Sequence, residues 1–328
     1  MDGGDPGRPP RAAPAAAGSA AFAVELDGLT RRFGALTAVD SLSLAVRHGE
    51  LFGLVGPDGA GKTTTLRMLA GVLRPSAGDA RLLGVSVARD PERVKHSIAY
   101  MSQRFGLYGD LTVAENLEFY ADLYRVPRAE RPARLERLFR FSALGPFRSR
   151  LARQLSGGMK QKLALSCCLV HEPAILLLDE PTFGVDPISR RDLWLIVHEM
   201  VARGTTVVVS TAYMDEAERF DRLAMLDHGR LVALDSAERL QRAFGIEMLA
   251  VPVDRAHEAR AAIRALPGVR GAAVFGDRLH VAVAGAAADA PRIVAALRTA
   301  GFAVGEARPV APSLEDVFIE RIARAGPA

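Results

Sequence analysis

The segment LFGLVGPDGAGKTT, residues 51–64, decides the fold of this chain. Its first five residues form an unbroken apolar run, which predicts a buried β-strand. A glycine-rich loop follows, and residues 64–72 have the pattern of a helix that ends before Arg74-Pro75. A strand, a glycine-rich turn and a helix in this order bring backbone N–H groups and a helix N-terminus around an anion. The segment therefore predicts a phosphate site in an α/β fold.

The loop satisfies the pattern G-x-x-x-x-G-K-[ST], in which each residue type has a task. The glycines let the backbone close around β- and γ-phosphates, Lys62 is expected to bridge their oxygens, and the Thr63 hydroxyl is expected to ligate Mg²⁺. Asp58 is unusual, because a carboxylate beside phosphates is repulsive unless it points away. The predicted nucleotide-binding residues are Gly56, Pro57, Asp58, Gly59, Ala60, Gly61, Lys62, Thr63 and Thr64.

A second apolar strand, residues 174–178, ends in two acids, Asp179 and Glu180. Parallel sheets bind ligands at the carboxyl ends of their strands, so we expect both acids beside the phosphate loop. We assign Asp179 to the Mg²⁺ shell and Glu180 to orienting and polarising the attacking water.

Composition bounds the class of protein. With 328 residues, of which 49% are hydrophobic, the chain has room for about two domains with real cores. Its two cysteines, Cys167 and Cys168, are neighbours, which excludes a disulfide framework or a zinc cluster and predicts a reducing compartment. The longest apolar run is far shorter than the roughly 20 residues of a membrane-spanning helix. Residues 1–21 lack the apolar core of a secretory signal, and the net charge of +4 mildly favours an anionic partner.

The order of strand and helix patterns predicts the domains. Residues 1–22, rich in Gly, Pro and Ala, are expected to be a disordered tail. Residues 23–245 alternate strands and helices as a parallel α/β sheet does, with a helical insertion at about 105–170. Residues 246–328 predict a small ferredoxin-like α+β domain that carries no cofactor motif. Among the shorter strands that we expect are residues 82–85, 98–101, 207–210, 248–251, 272–275, 279–283 and 302–304.

Arginine recurs every third residue within the predicted helical insertion, at Arg128, Arg131, Arg134, Arg137 and Arg140. One interpretation is a solvated helix face. The other is a surface for a partner or for lipid headgroups.

The third informative stretch is Leu-Ser-Gly-Gly-Met-Lys-Gln, residues 155–161, which resembles the signature loop of the ATP-binding cassette (ABC) ATPases. Together with the phosphate loop at 56–63 and the acidic strand end at 175–180, it identifies the chain as similar to that family over about residues 23–245. The amino-acid sequences of three segments resemble those of the ATP-binding subunits of bacterial type-2 exporters, in the drug-efflux branch. The segments are the phosphate loop, residues 105–108 and residues 184–187.

This resemblance implies a P-loop NTPase-type fold, with a mixed-sheet core and a helical subdomain, that binds ATP and Mg²⁺. Two cassettes would sandwich two ATP molecules, so that Ser156, Gly157 and Gly158 contact the nucleotide of the partner cassette rather than their own. Whether the second cassette is a copy of this chain stays open. The other implied partner is an integral-membrane permease, which this chain would join peripherally at the cytoplasmic face of a bacterial inner or cell membrane. No nucleic acid is expected.

Further positions follow from the resemblance. Gln103 stands at the Q-loop, where the family ligates Mg²⁺ and senses the γ-phosphate, and residues 104–112 would then touch the permease. Phe33 stands where the family stacks an aromatic ring on adenine, although a core position would also suit a phenylalanine. Asp186 matches the D-loop acid that communicates across the dimer.

One position departs from the family. Ala212 occupies the H-loop position, where a histidine normally contacts the γ-phosphate. Loss of such a charge-assisted hydrogen bond costs roughly 1.5–3 kcal/mol, about one to two powers of ten in rate. Neither His198 nor His228 is expected to replace this histidine. His198 lies upstream in a predicted helix and His228 in a predicted turn, so both are expected to be surface residues.

Three functions are therefore compatible with the sequence. The first is the ATP-hydrolysing subunit of an exporter. The second is a nucleotide-gated module that hydrolyses ATP weakly beside a more active second cassette. The third, weakly favoured by the basic isoelectric point of about 9.3, is an ABC ATPase that acts on nucleic acid or ribosomes.

Overall fold

The computed structural model of the protein describes residues 22–104 and 106–325. The predicted disordered tail therefore lies outside the described residues, except for Phe22. Within the described ranges, no helix is long and apolar enough to cross a membrane.

Fourteen strands and ten α-helices make up the described part of the chain. The strands are β1 (Val24–Phe33), β2 (Leu36–Val46), β3 (Leu51–Val55), β4 (Ala77–Leu82), β5 (Val85–Ser86), β6 (Ile98–Met101), β7 (Ile175–Asp179), β8 (Thr206–Thr211), β9 (Arg222–Asp227), β10 (Arg230–Asp235), β11 (Glu247–Pro252), β12 (Val269–Phe275), β13 (Arg278–Val283) and β14 (Arg308–Val310). The helices are α1 (Lys62–Leu69), α2 (Pro91–Lys95), α3 (Val113–Leu123), α4 (Arg131–Ser142), α5 (Gly157–Leu169), α6 (Pro187–Ala202), α7 (Ala237–Arg242), α8 (Ala256–Arg264), α9 (Ala286–Thr299) and α10 (Leu314–Ala325). Short 3₁₀ helices span Gly145–Phe147, Ala152–Gln154 and Met214–Arg219.

The central sheet carries the predicted site. Its six strands lie in the order β10-β9-β3-β8-β7-β6, parallel except for the edge strand β10. Every residue of β3 and β7 is buried, as a parallel sheet covered on both faces requires. The register pairs Val55 with Thr211 and Asp179 with Ser210, so the ends of β3, β7 and β8 meet at one edge.

A second, antiparallel sheet, in the order β2-β1-β4-β5, packs its apolar side chains against α1 and one face of the central sheet. Here one expectation was wrong: residues 82–85 are not a strand. Leu83 and Gly84 have φ values of 50° and 78° and form the turn between β4 and β5. The consecutive apolar residues Leu82 and Leu83 concealed this turn, which Gly84 signals because a left-handed conformation favours glycine.

Helices α3, α4 and α5 lie between β6 and β7, where the sequence predicts the helical insertion. Both cysteines are buried in α5, and neither forms a disulfide. Arg128 precedes α4 and is exposed, as is Arg140. The other three arginines pair within the chain: Arg131 with Glu118 and Asp122, Arg134 with Glu130 and Glu172, and Arg137 with Glu172. These internal pairs favour the interpretation as a solvated helix face.

The C-terminal sheet has the order β12-β13-β11-β14, with every neighbouring pair antiparallel. With α8 after β11 and α9 after β13, this is the predicted ferredoxin-like arrangement. The predicted strand at 302–304 was wrong: Val304 makes only an isolated bridge to Val253, and the edge strand lies at 308–310. Residues 302–304 follow the left-handed Gly301 at the end of α9 and lie beside the segment that comes after β11. The chain pairs with β11 itself only from Arg308, which lies opposite Ala250.

Helix α10 joins the two parts of the chain. Its buried residues Leu314, Val317 and Phe318 belong to the same apolar cluster as Ala217 and Phe220, near the 3₁₀ helix at 214–219. The C-terminal helix thus packs on the part of the chain that precedes residue 245 as well as on the ferredoxin-like sheet.

Candidate nucleotide site

The phosphate loop connects β3 to α1 and presents backbone N–H groups that are free to bind an anion. Gly59 and Gly61 have φ values of 81° and 94°, which only glycine adopts without strain. A Cβ at Gly56 would overlap the carbonyl oxygen of Leu226, so glycine is needed there for space. In the described residues, no acceptor receives the backbone N–H groups of residues 62–64, which begin α1. These free donors and the helix dipole suit a polyphosphate.

Lys62 lies inside the loop and is 4% exposed. Its Nζ donates to the carbonyl oxygens of Gly56 at 2.7 Å and Pro57 at 2.9 Å, and lies 3.5 Å from Glu180 Oε1. A buried ammonium needs such acceptors. Phosphate oxygens can replace the Glu180 contact, so these acceptors hold the lysine where an anion can reach it.

Asp179 collects three hydroxyl donors at the end of β7. Its Oδ1 accepts from Thr63 Oγ1 at 2.9 Å and from Ser210 Oγ at 2.7 Å, and its Oδ2 accepts from Tyr100 at 3.2 Å. Burial, with the Asp179 charge as the next cause, raises the pKa of Tyr100 to about 12, so the phenol remains a donor. These bonds fix the carboxylate orientation beside the phosphate loop.

Glu180 follows with a φ of 50°, a left-handed conformation that is strained for a glutamate. Its backbone N–H donates to Ser210 Oγ at 3.0 Å, which stabilises this turn. Its side chain accepts from Gln103 Nε2 at 3.0 Å and faces Lys62. The structure therefore brings together Gln103, Lys62, Thr63, Asp179 and Glu180, which sequence reasoning placed in one site.

A groove of about 540 Å³ runs over the loop. It is lined by Phe33, Leu36, Thr37, Ala38, Asp58, Gly59, Ala60, Gly61, Lys62, Thr63, Thr64, Gln103, Glu180 and His228. The Phe33 ring is 46% exposed, and the Arg31 guanidinium lies 4.5 Å from its centre. An exposed ring at the groove excludes the core interpretation of Phe33. Asp58 is also exposed, which relieves the repulsion expected of a carboxylate near phosphates.

The signature loop lies outside this groove. Ser156 caps α5 by accepting from the Met159 N–H, and both Ser156 and Gly157 are exposed. Gly158 is buried, and a Cβ there would overlap the Ser189 side chain on α6. None of the three residues lines the chain's own groove.

Asp186 caps α6 through its Oδ1, which accepts from Ile188 N at 3.1 Å and Ser189 N at 3.0 Å. The N–H of Ser189 is the largest cause that lowers the pKa of this carboxyl, so Asp186 remains charged at neutral pH. Its local role is to begin the helix that packs on Gly158.

Ala212 is exposed at the end of β8. Its neighbours are firmly held: the Gly56 N–H donates to the Thr211 carbonyl at 3.3 Å, and Thr211 Oγ1 donates to buried Glu216 at 2.7 Å. The H-loop position is therefore fixed against the first residue of the phosphate loop, although its side chain can donate nothing.

Sequence reasoning missed three residues of the site, namely Tyr100, Ser210 and His228. The first two lie in strands that were predicted, but only strand order shows that they end beside Asp179. His228 was expected to be a surface residue, and although its side chain is 76% exposed, it lines the groove.

The donor set fits Mg²⁺, because hard oxygen ligands from one or two carboxylates, a hydroxyl and phosphates are what this ion prefers. Thr63 Oγ1 and Asp179 Oδ1 already lie 2.9 Å apart. Within the described ranges, no group of three or more His, Cys, Asp or Glu residues forms a metal cage. The nucleotide and water would have to complete the coordination.

Comparison with known proteins identifies the family. The daunorubicin/doxorubicin resistance ATP-binding protein DrrA of Streptomyces peucetius is 38% identical over 271 residues, which cover 82% of each chain. Residues 39–183 match the family described as ABC transporter. The chain belongs to the ATP-binding proteins of ABC transporters. The predicted family and fold class are thereby confirmed.

Further matches place this ABC protein more closely. Residues 236–322 match the C-terminal domain described as that of ATP-binding protein DrrA1-3-like, a span that begins at α7. The probable multidrug ABC transporter ATP-binding protein YbhF of Escherichia coli (strain K12) is 50% identical over 211 residues, 64% of this chain. That match covers 36% of YbhF, so the chain spans only about a third of the length of this relative.

A solved dimeric ATP-binding cassette, in a post-hydrolysis state with ADP and Pi, superposes with a TM-score of 0.59. It is 26% identical and covers 65% of this chain and 98% of the solved one. The fold of the ATPase part is therefore that of a nucleotide-binding cassette.

Proposed function

We propose that this chain is the ATP-hydrolysing subunit of an ABC exporter, one of two cassettes that close around ATP and drive a separate membrane permease. The observation that carries the proposal is the convergence of Lys62, Asp179, Glu180 and Gln103 at one end of the groove. Binding and hydrolysis of a triphosphate need these groups together: a cation for the phosphates, oxygen ligands for a metal, and a base that positions water.

The chain's own residues divide the chemistry. Lys62 and the free N–H groups of residues 62–64 bind and orient the phosphates. Thr63, Asp179 and Gln103 would hold Mg²⁺, which supplies charge neutralisation at the phosphate oxygens. Glu180 orients water and accepts its proton, and Gln103 fixes the glutamate through its 3.0 Å hydrogen bond.

The exposed Ser156 and Gly157 support a dimer. Their hydroxyl and amide groups stand at the start of α5 and do not line the chain's own groove, so a phosphate that they bind would belong to another molecule. The N-termini of α5 and α6 form one surface. Asp186 caps α6, and Gly158 of α5 packs closely on Ser189 of α6. A similar solved cassette is dimeric.

A second groove, of about 370 Å³, supports docking of a permease. It lies between the Q-loop and α5 and is lined by Gln103, Arg104, Leu107, Gly109, Ala152, Arg153, Lys160, Gln161 and Ala164. Because Gln103 belongs to both grooves, a segment seated here would sense the nucleotide directly. Residue 105, within the predicted contact segment 104–112, lies outside the described residues. Docking of a permease here would mean that the chain works at the cytoplasmic face of a bacterial membrane, and the names of DrrA and YbhF suggest drug-like export substrates.

Two variants test the proposal with purified protein and, where available, its permease. Glu180→Gln keeps the shape of the side chain but cannot accept a proton, so ATP turnover should fall by about 100-fold or more while nucleotide binding persists. Lys62→Ala should abolish nucleotide binding. Turnover that is equal in Glu180→Gln and the natural chain, or unchanged nucleotide affinity in Lys62→Ala, contradicts the proposal.

A second candidate function follows from Ala212. Because the alanine leaves the H-loop position without a hydrogen-bond donor, the chain can act as a nucleotide-gated module that hydrolyses ATP weakly beside a more active cassette. Turnover measured for this chain alone and for a mixed dimer distinguishes the two functions.

A further inference from the structure

The turn between β9 and β10 is built with a histidine where a two-residue hairpin favours other residues. Asp227 pairs with Arg230, and the two central residues, His228 and Gly229, have φ values of 44° and 79°. Two positive φ values define the type I′ turn, whose first central position favours Asn, Asp or Gly. A histidine here adopts a strained conformation, and strain of this kind clusters at functional sites.

This strain coincides with the groove. Among the described residues, eight besides glycine have a positive φ, and only Glu180 and His228 of these line the nucleotide groove. Glu180 is the proposed water-orienting acid. The second strained residue therefore sits on the same ligand-facing surface, with its side chain 76% exposed.

The turn is anchored both to the phosphate loop and to β2. The N–H of Gly229 donates to the Ala60 carbonyl at 3.2 Å, and the Gly229 carbonyl accepts from Asp40 N at 2.9 Å. Arg230 Nε also lies 2.9 Å from Asp40 Oδ2. Such anchoring fixes residue 228 relative to a bound nucleotide.

Strand order shows on which side of the phosphate loop the His228 turn lies. In the central sheet β9 and β7 lie on opposite sides of β3, so the His228 turn and Glu180 flank the phosphate loop from opposite sides. Asp40, whose N–H donates to the Gly229 carbonyl, belongs to β2, which follows β1 after a two-residue turn, and Phe33 is the last residue of β1. His228 therefore shares the Phe33 side of the groove, away from the hydrolytic acid.

We propose that His228 binds the nucleoside part of ATP, with its imidazole directed at the ribose hydroxyls; this inference rests on the proposed function. Its Nδ1 lies 2.9 Å from Asp227 Oδ2, which leaves Nε2 for the ligand. A ribose hydroxyl both donates and accepts, so it fits Nε2 of a neutral or a protonated ring.

The decisive variant is His228→Asn, because asparagine suits a type I′ turn and removes the imidazole without disturbing the hairpin. His48→Asn is the matched control: His48 is exposed and also precedes a turn glycine, but it does not line the groove. Both variants are made in a Glu180→Gln background to prevent hydrolysis. Binding of ATP and of inorganic tripolyphosphate, which has no nucleoside, is measured by titration calorimetry.

We expect His228→Asn to weaken ATP binding about threefold to tenfold, the range of one net hydrogen bond, and to leave tripolyphosphate binding unchanged. His48→Asn should change neither. Unchanged ATP affinity in His228→Asn, or an equal loss for both ligands, overturns the inference. Lys62→Ala separates the two proposals: if it still binds ATP, the proposed function fails, whereas failure of His228→Asn alone refutes only the nucleoside contact.

Discussion

Restoring a histidine at the H-loop position should accelerate hydrolysis. Ala212 is exposed, so the larger side chain in Ala212→His meets no packed core. Its backbone is held against the phosphate loop by the 3.3 Å hydrogen bond from Gly56 N to the Thr211 carbonyl, and the 2.7 Å bond from Thr211 to Glu216 fixes the strand end. The new imidazole would therefore start from a fixed backbone next to the phosphate loop, and we expect it to contact the γ-phosphate of a bound nucleotide as the family resemblance implies.

The size of the effect follows from one charge-assisted hydrogen bond. Such a bond contributes about 1.5–3 kcal/mol, and each 1.36 kcal/mol of transition-state stabilisation changes a rate about tenfold. We therefore expect kcat of Ala212→His to rise by roughly one to two powers of ten, provided the bond forms mainly in the transition state. A gain confined to nucleotide affinity would indicate a ground-state contact instead.

The assay is steady-state phosphate release at saturating ATP, compared among three variants. Ala212→Leu adds bulk without a donor and should leave kcat within about twofold, because no hydrogen bond is gained. Ala212→His combined with Glu180→Gln should lose the gain, because the base is then absent. Equal rates for Ala212→His and Ala212→Leu would refute the reasoning and show that the site hydrolyses ATP without a donor at residue 212.

Three further predictions concern the surroundings of the site. Gly158→Ala should abolish ATP-dependent dimerisation, measured by light scattering, but not nucleotide binding, because the added Cβ overlaps Ser189. The double variant with Ser189→Gly should restore the dimer, and a dimer that survives Gly158→Ala contradicts the packing. Tyr100→Phe removes a donor to Asp179 and should raise the Mg²⁺ concentration for half-maximal turnover by about tenfold, with an unchanged Mg²⁺ titration as the contrary result. Val317→Asp buries an unpaired charge in α10 and should lower the free energy of unfolding, measured by denaturant titration, by about 3–5 kcal/mol. A loss under about 1 kcal/mol would show that α10 is not packed.

The phosphate loop shows how far local sequence carries. Strands β3 and β6 begin and end where the apolar runs predicted, because a short continuous apolar run suits a strand in a sheet covered on both faces. The turn at Leu83-Gly84 and the edge strand β14 escaped prediction, since single left-handed residues and a three-residue edge strand leave weak patterns. Helix α1 begins at Lys62, two residues before the expected Thr64, because Gly61 can serve as its N-cap.

The sequence by itself determined the chemical groups of this protein: a glycine loop with lysine and threonine, two acids at a strand end, and a Ser-Gly-Gly helix start. These are local because backbone conformation and side-chain chemistry are set within a few residues. Only the tertiary structure decided that Ser210 and Tyr100 orient Asp179, that His228 lies on the Phe33 side of the groove, and that α10 bridges the two parts of the chain. Those contacts join residues far apart in the chain, and strand order, which no local pattern encodes, brings them together.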